Sequence, residues 1–208
     1  MILQPDSDCQ LCPRLAAFRA DNRQKFPEKF NAPVPSFGPI EAELLIVGLA
    51  PGLKGANFTG RPFTGDYAGD LLYATLLKYG LAKGTFDRRA DDGLQLINCR
   101  ITNAVRCVPP ENKPTGDEIK TCRPFFESQL HHMPNLKIVL ALGLIAHNQI
   151  LKTLGLKQSA FKFAHNQTHE LGAKLILIDS YHCSRYNTST GRLTEAMFHD
   201  VFERIKNY

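Results

Sequence analysis

"LLIVGLAPGLKGANFTGRPFTGDYAG", Leu44 to Gly69, decides how this chain folds. Leu44 to Val47 form a short, continuous apolar run closed by Gly48, the pattern of a strand covered on both faces. A glycine-rich loop follows, and from Tyr67 to Tyr79 the leucines at 71, 72 and 76 repeat at helical spacing, with Gly80 placed to end the helix. Strand, loop and helix in that order form the repeating unit of an α/β fold, in which ligands sit beyond the carboxyl ends of the strands.

The loop's glycines permit positive φ angles and close backbone approach, so main-chain N–H groups near Gly48, Ala50 and Gly52 can converge on an anion or a carbonyl oxygen. No Gly-Lys-Ser/Thr follows, and the spaced glycines of a dinucleotide fingerprint are missing, so no nucleotide cofactor is expected. Asp66 stands just before the helix, where a helix cap and a functional carboxylate are both consistent with its position. Phe63 suits either the core or a stacking surface.

Three further apolar runs read as strands: Leu94 to Ile97 continuing towards Val105, Leu136 to Leu142, and Lys174 to Asp179. Thr115 and Glu118 form a capping-box pair opening a helix with Ile119, Cys122 and Phe126 on one face; Leu144 to Leu154 give another helix. Thr194 can cap a last one, in which Met197, Val201 and Ile205 recur at four-residue intervals. Alternation of strands and helices predicts an α/β protein, a three-layer α/β/α sandwich around a short, mainly parallel four-stranded sheet, with residues 1–208 as a single domain. Pro27 to Pro39 reads as a surface connection.

The 208 residues are 43% apolar and 22% charged, an ordinary globular composition. The longest apolar run, Ile138 to Ala146, is about half a membrane-spanning helix, and no basic segment followed by an apolar one opens the chain; a cytoplasmic, membrane-free protein is expected. Lys and Arg exceed Asp and Glu by 25 to 20, which allows a polyanionic partner without requiring one.

Six cysteines in a chain too large to need disulfide staples turn attention to metal. Cys9 and Cys12 form a C-x-x-C pair, and Cys107 and Cys122 a widely split second pair. Four thiols suit zinc or an iron-sulfur cluster, the wide split looking less like a compact zinc finger, although Cys122 also fits as a small buried residue. In the loop after the second strand, Asn103 offers a donor beside an acceptor, the complement of a pyrimidine edge, or simply satisfies turn backbone. In the loop after the last strand, His182 could donate to an oxygen gaining charge or bond to backbone.

Four segments in this order, the N-terminal C-x-x-C, "GLAPGLKGANFTGRPFTGD", "ITNAVRCVPPENKPT" with its following cysteine, and "HCSRYNTSTGRLT", resemble the uracil-DNA glycosylase superfamily, and within it the b-type (family five) iron-sulfur enzymes. The resemblance implies base excision repair: hydrolysis of the N-glycosidic bond of uracil, and in some members of hypoxanthine, flipped out of DNA. Under it Asp66 would orient or activate the attacking water, Phe63 stack on the extruded base, Asn103 bond its pyrimidine edge and His182 donate to uracil O2. Cys9, Cys12, Cys107 and Cys122 match positions that hold a [4Fe-4S] cluster, leaving Cys99 and Cys183 without a metal role. The chain departs from many b-type loops at Lys54, Phe58 and Cys183, which puts its base preference in question. Lys113, Arg185, Arg192 and Arg106 are candidates for phosphate contacts with single- or double-stranded DNA, Tyr186 reads as a packed loop residue in preference to a wedge, and the protein is expected to act as a monomer. The alternative is a non-catalytic, metal-cluster protein that only binds nucleic acid.

Overall fold

The computed structural model describes residues 2–172 and 174–208. In chain order the elements are α1 (Pro13–Lys25), β1 (Leu44–Gly48), the one-turn α2 (Ala56–Thr59), α3 (Tyr67–Lys78), β2 (Ala82–Lys83), β3 (Gln95–Leu96) and β4 (Cys99–Asn103). They continue with α4 (Gly116–His131), β5 (Ile138–Leu142), α5 (Leu144–Thr153), β6 (Thr168–Glu170), β7 (Ile176–Ser180), α6 (Arg185–Ser189) and α7 (Glu195–Ile205).

The main sheet runs β4-β1-β5-β7-β6, with β4, β1, β5 and β7 parallel. Alternate residues of the buried strands face opposite layers. Leu44, Ile46, Leu140 and Ile178 pack with Leu72 and Leu76 of α3 and Phe198 and Phe202 of α7. Leu45, Val47, Val139 and Leu177 pack with Phe126 of α4 and Ile150 of α5. Two apolar faces on each strand explain why the runs are continuous rather than alternating, and they give the three layers expected.

The sheet has five strands instead of four, because Thr168–Glu170 adds an antiparallel edge beside β7. The run from Leu94 towards Val105 does not stay one strand. Asn98 takes a φ of 51°, and ahead of that break Gln95 and Leu96 lie outside the main sheet and form β3 against β2. Pro27 to Pro39 is not merely surface: Asn31, Ala32 and Val34 are buried, and Phe37 exchanges backbone hydrogen bonds with Ile101 at 2.9 and 2.7 Å. That bridge covers the open edge of β4, which would otherwise be a template for another chain.

Helix starts follow their caps. Thr115 and Glu118 make both halves of the capping box, and the side chains of Asp66, Ser184 and Thr194 each accept a backbone N–H at the start of α3, α6 and α7.

One buried ion pair holds the glycine-rich loop against the body. Arg61 is bidentate to Asp92 at 2.8 and 2.7 Å, both side chains almost fully covered, and its guanidinium lies over the rings of Phe37, Tyr73 and Phe86. Burial pushes the Asp92 carboxyl up, but Arg61 and the N–H groups of Asp87 and Leu94 outweigh it and hold the group well below the usual carboxylate range. A depressed carboxyl stabilises the fold above its unfolded pKa and loses that contribution as pH falls towards its folded one. Asp92→Asn, which leaves Arg61 buried without its counter-charge, is expected to cost about 3–5 kcal/mol by denaturant unfolding at pH 7, with a smaller difference from the wild type in acid.

Candidate active site

The parallel strands β4, β1 and β7, the last two separated by β5, deliver their carboxyl ends to one edge of the sheet, and the loops leaving them enclose a cleft of about 680 Å3. Its lining includes Ala50, Gly52, Phe63, Asp66, Asn103 and His182. The volume lies within the range of small-molecule sites. Residues distant along the chain meet there because parallel strands deliver their carboxyl ends to one edge.

Gly48 is opposite Asn103 in the β1–β4 register. A Cβ at Gly48 would stand 2.4 Å from Asn103 Oδ1 and 2.8 Å from Phe63 Cζ, so no larger residue fits without moving both. Asn103 is buried, yet no described residue hydrogen-bonds its carboxamide, which leaves donor and acceptor to the cleft. Phe63 has a φ of 52°, a conformation that costs a non-glycine residue on the order of 1–3 kcal/mol. Its ring lies 5.9 Å from that of His182, and Tyr73 clamps the preceding turn by donating to Pro62 O at 2.6 Å.

Asp66 divides its two oxygens. Oδ1 accepts from Gly69 N–H at 3.2 Å and so caps α3, while Oδ2 faces the glycine loop, where a Cβ on Gly55 would come within 2.3 Å of it and one on Gly52 within 3.3 Å. The cap and a cleft-facing carboxylate are therefore compatible. Burial raises the Asp66 pKa, the Gly69 N–H opposes the rise, and the charge of Asp70 adds to it. Burial also holds His182 down to about 4, so its imidazole is neutral near pH 7.

The basic candidates separate. Arg185 lines the mouth of the cleft. Arg192 lines an adjoining groove that shares His182 with the cleft, its guanidinium 4.7 Å from the Tyr181 ring centroid. Lys113 is exposed outside the cleft beside Glu111. Arg106 is no surface cation: it is 1% exposed and donates to Ser36, Thr102 and Gln4, because the segment before β1 folds over it. Tyr186 is exposed rather than packed. Asn112 and Ser184 also line the cleft; nothing about an isolated Asn or Ser in the sequence singles them out.

Cys9, Cys12, Cys107 and Cys122 line one pocket between α1 and α4, walled by Leu15, Val105 and Phe125. Arg19, itself buried, donates to Cys107 Sγ at 3.6 Å and to Cys9 O at 2.8 Å, and Arg106 N–H approaches Cys122 Sγ at 3.4 Å. Among the described residues, no three of these sulfurs lie within 4.8 Å of one another. The all-thiolate donor set suits zinc or an iron-sulfur cluster. Cys99 and Cys183 are buried in the core away from this pocket.

His147, His169 and Asp179 do come within that distance. However, the contacts of Asp179 with His147 and His169 are 2.7 and 3.0 Å, shorter than the roughly 3.3 Å ligand spacing that bonds of 2.0–2.1 Å give around a tetrahedral ion. This is a hydrogen-bonded tie between α5, β6 and β7.

The family model of the uracil DNA glycosylase superfamily matches residues 35–206. The chain belongs to that superfamily. It is 44% identical over 203 residues to a type-5 uracil-DNA glycosylase of Thermus thermophilus, covering 95% of this chain and 92% of that protein. It is 41% identical to one of Mycobacterium leprae, covering 96% and 91%, and 36% identical to one of the archaeon Pyrobaculum aerophilum, covering 95% and 87%. Similarity at this level across bacteria and archaea places the chain among the type-5 members.

The tightest packing in the site of this glycosylase-family chain is at Gly69. A Cβ there would meet Phe63 O at 1.8 Å, so the first turn of α3 and the strained Phe63 backbone interlock. Gly69→Ala is expected to destabilise by about 1–3 kcal/mol, some 2–4 °C in Tm for each. Thermal unfolding of the purified variant checks this.

Proposed function

We propose that this chain is a monofunctional DNA N-glycosylase that hydrolyses the bond between uracil and deoxyribose in an extruded nucleotide, initiating base excision repair in the cytoplasm as a monomer. The observation that carries the reading is the convergence of Phe63, Asp66, Asn103 and His182 on one cleft. No helix among the described residues is long and apolar enough to cross a membrane.

A stacked base hides its glycosidic bond, so the nucleotide must leave the helix at a cost of a few kcal/mol. The Phe63 ring offers replacement stacking worth about 1–3 kcal/mol. Asn103 offers the flipped base an amide donor beside a carbonyl acceptor, which pairs with the N–H and carbonyl of uracil. As the bond from C1′ to N1 breaks, its electron pair stays with the base while the sugar becomes oxocarbenium-like. His182, neutral, donates an N–H to uracil O2 as charge grows there, together with main-chain N–H groups of the loop from Gly48 through Ala50 to Gly52. Asp66 as carboxylate faces the cationic sugar and orients the water that attacks C1′, accepting its proton. Arg185 and Arg192 hold the strand through phosphates, with Lys113 further out.

Cys9, Cys12, Cys107 and Cys122 would hold a [4Fe-4S] cluster. When bound it supplies a crosslink between α1 and α4; the hydrolysis transfers no electron. Arg19 sets positive charge beside Cys107, offsetting part of the negative charge of the thiolates. Cys107→Ser is expected to lower iron content and Tm together, measured by metal analysis and thermal unfolding; undiminished stability without iron would exclude the structural role.

Asp66→Asn tests the chemistry. Asparagine caps helices as well as aspartate, and the change removes a charge that burial disfavours. Alkali-revealed base release from uracil duplexes is expected to fall at least about a hundredfold while Tm holds or rises. The wild-type rate is expected to fall in acid, as pH drops through the raised Asp66 pKa, and to show no step from His182 between pH 6 and 8. A non-catalytic DNA-binding protein would release no base in either form.

A further inference from the structure

We infer that Arg19 is the built-in counter-ion of the metal centre between α1 and α4, its guanidinium setting the reduction potential of that centre and its resistance to one-electron oxidants. This rests on the reading of Cys9, Cys12, Cys107 and Cys122 as holders of a [4Fe-4S] cluster.

Arg19 occupies a place that the helix pattern reserves for an apolar side chain. Leu15, Ala16, Arg19 and Asn22 form the buried stripe of α1, which begins just after Cys12 at its cap. Arg19 is 3% exposed. A guanidinium withdrawn from water to that extent needs a matching charge, because neutral acceptors alone do not make up for its lost hydration. Elsewhere the fold supplies one: Arg61, equally covered, holds both oxygens of Asp92.

No carboxylate plays that part for Arg19 among the described residues. Its hydrogen bonds there run to Cys107 Sγ at 3.6 Å and to Cys9 O at 2.8 Å, the sulfur of one candidate ligand and the carbonyl of another. The acids on this side of the molecule are engaged by other cations: Glu118 by Arg14 at 2.8 Å, and the exposed Asp8 by Arg23. Arg106, buried beside Cys107, adds to the imbalance, since its side chain donates only to the neutral oxygens of Ser36, Thr102 and Gln4. No carboxylate lines the pocket itself.

Thiolates closed on a cluster of iron and sulfide ions leave a net negative charge, which is the partner the guanidinium lacks. The walls of Leu15, Val105 and Phe125 exclude water and keep the attraction strong. A fixed cation beside the sulfurs stabilises whichever state holds one more electron. The midpoint of a one-electron couple therefore rises, and withdrawal of an electron becomes harder. For a centre whose part is to tie α1 to α4, the consequence is protective: an oxidant has more difficulty starting the loss of iron that would release the tie.

Arg19→Gln keeps a hydrogen-bond donor and removes the charge, whereas Arg19→Lys keeps the charge and removes the fork. Iron content, visible absorbance and Tm of each purified protein report loading and fold. By voltammetry, the midpoint of the cluster's one-electron couple is expected to fall in Arg19→Gln by about 59 mV or more, equivalent to a tenfold loss in the equilibrium constant for taking up the electron. That constant should stay within about threefold of the wild type in Arg19→Lys, and also in Lys25→Gln, which removes an exposed charge from the last turn of the same helix. Ferricyanide, which takes one electron and becomes ferrocyanide, should bleach Arg19→Gln about tenfold faster than the wild type. Loss of iron from Arg19→Gln but not from Arg19→Lys would support the same assignment, with the charge already needed for loading. An unshifted midpoint in Arg19→Gln, an equal shift in Arg19→Lys or Lys25→Gln, or loss of iron from both Arg19 variants would overturn the inference and leave the cluster reading in place. A wild type that carries no iron would refute that reading, and the inference with it.

Discussion

The buried pair between Arg61 and Asp92 is the constraint on which the site's geometry depends. Arg61 lies in the eighteen-residue connection from β1 to α3, whose glycines give it little preference for any one path. Its guanidinium, boxed by Phe37, Tyr73 and Phe86, reaches Asp92 on one side and Thr64 on the other, and so fixes the chain between α2 and α3. With that segment pinned, Phe63 is turned into the cleft and Asp66 arrives at the start of α3. Pairing a cation with a carboxylate inside the protein costs desolvation of both, and an apolar pair of equal volume would serve stability as well. The value of the pair here is directional: a bidentate fork specifies position as well as burial.

Close packing then converts the loop's freedom into precision. Glycines at 48, 55 and 69 are each approached by another residue to within what a Cβ would forbid: Asn103, Asp66 and the Phe63 carbonyl respectively. These are the places where absence of a side chain is required. The strain at Phe63 and the raised Asp66 pKa are the reverse side of the same arrangement. A site that holds a carboxylate out of water and an aromatic residue in a left-handed backbone is less stable than it could be, and the ordinary core of two apolar layers offsets the difference.

Much of the fold was legible because its signals are local. The apolar runs that became β1, β5 and β7, the Thr115–Glu118 capping box and the Thr194 cap each depend on residues within a turn of one another. What was not legible depends on distant partners. Asn98 breaks a run that reads as one strand, and Asn98 Oδ1 accepts from Glu43 N–H, a contact across 55 residues. The three residues of β6 are too few to carry a pattern and are strand only because β7 pairs with them. Arg106 reads as a surface cation until Ser36, Thr102 and Gln4 are seen around it. The convergence of Asp66, Asn103 and His182 could be expected from strand order alone, since Asn103 ends β4 and the other two follow the carboxyl ends of β1 and β7. The Arg61–Asp92 pair that orders their surroundings could not, because charge alone does not say which acid meets which base.

The electrostatic order of the cleft follows from which group stays neutral. Were His182 cationic, it would attract the Asp66 carboxylate across the cleft, lower its pKa and reduce its capacity to take a proton from water. Burial prevents this by disfavouring the imidazolium, so the neutral ring remains a donor without becoming a counter-ion. Asp66, short of a cationic partner among the described residues and held by one N–H of α3, keeps a charge that the surroundings only partly satisfy. In the mechanism proposed for the cleft, the group that completes that charge is a cation that exists for the lifetime of a breaking bond, the oxocarbenium sugar. Under the proposed reading, a neutral donor at one wall and an under-satisfied carboxylate at the other favour the separated charge of the breaking bond over the ground state.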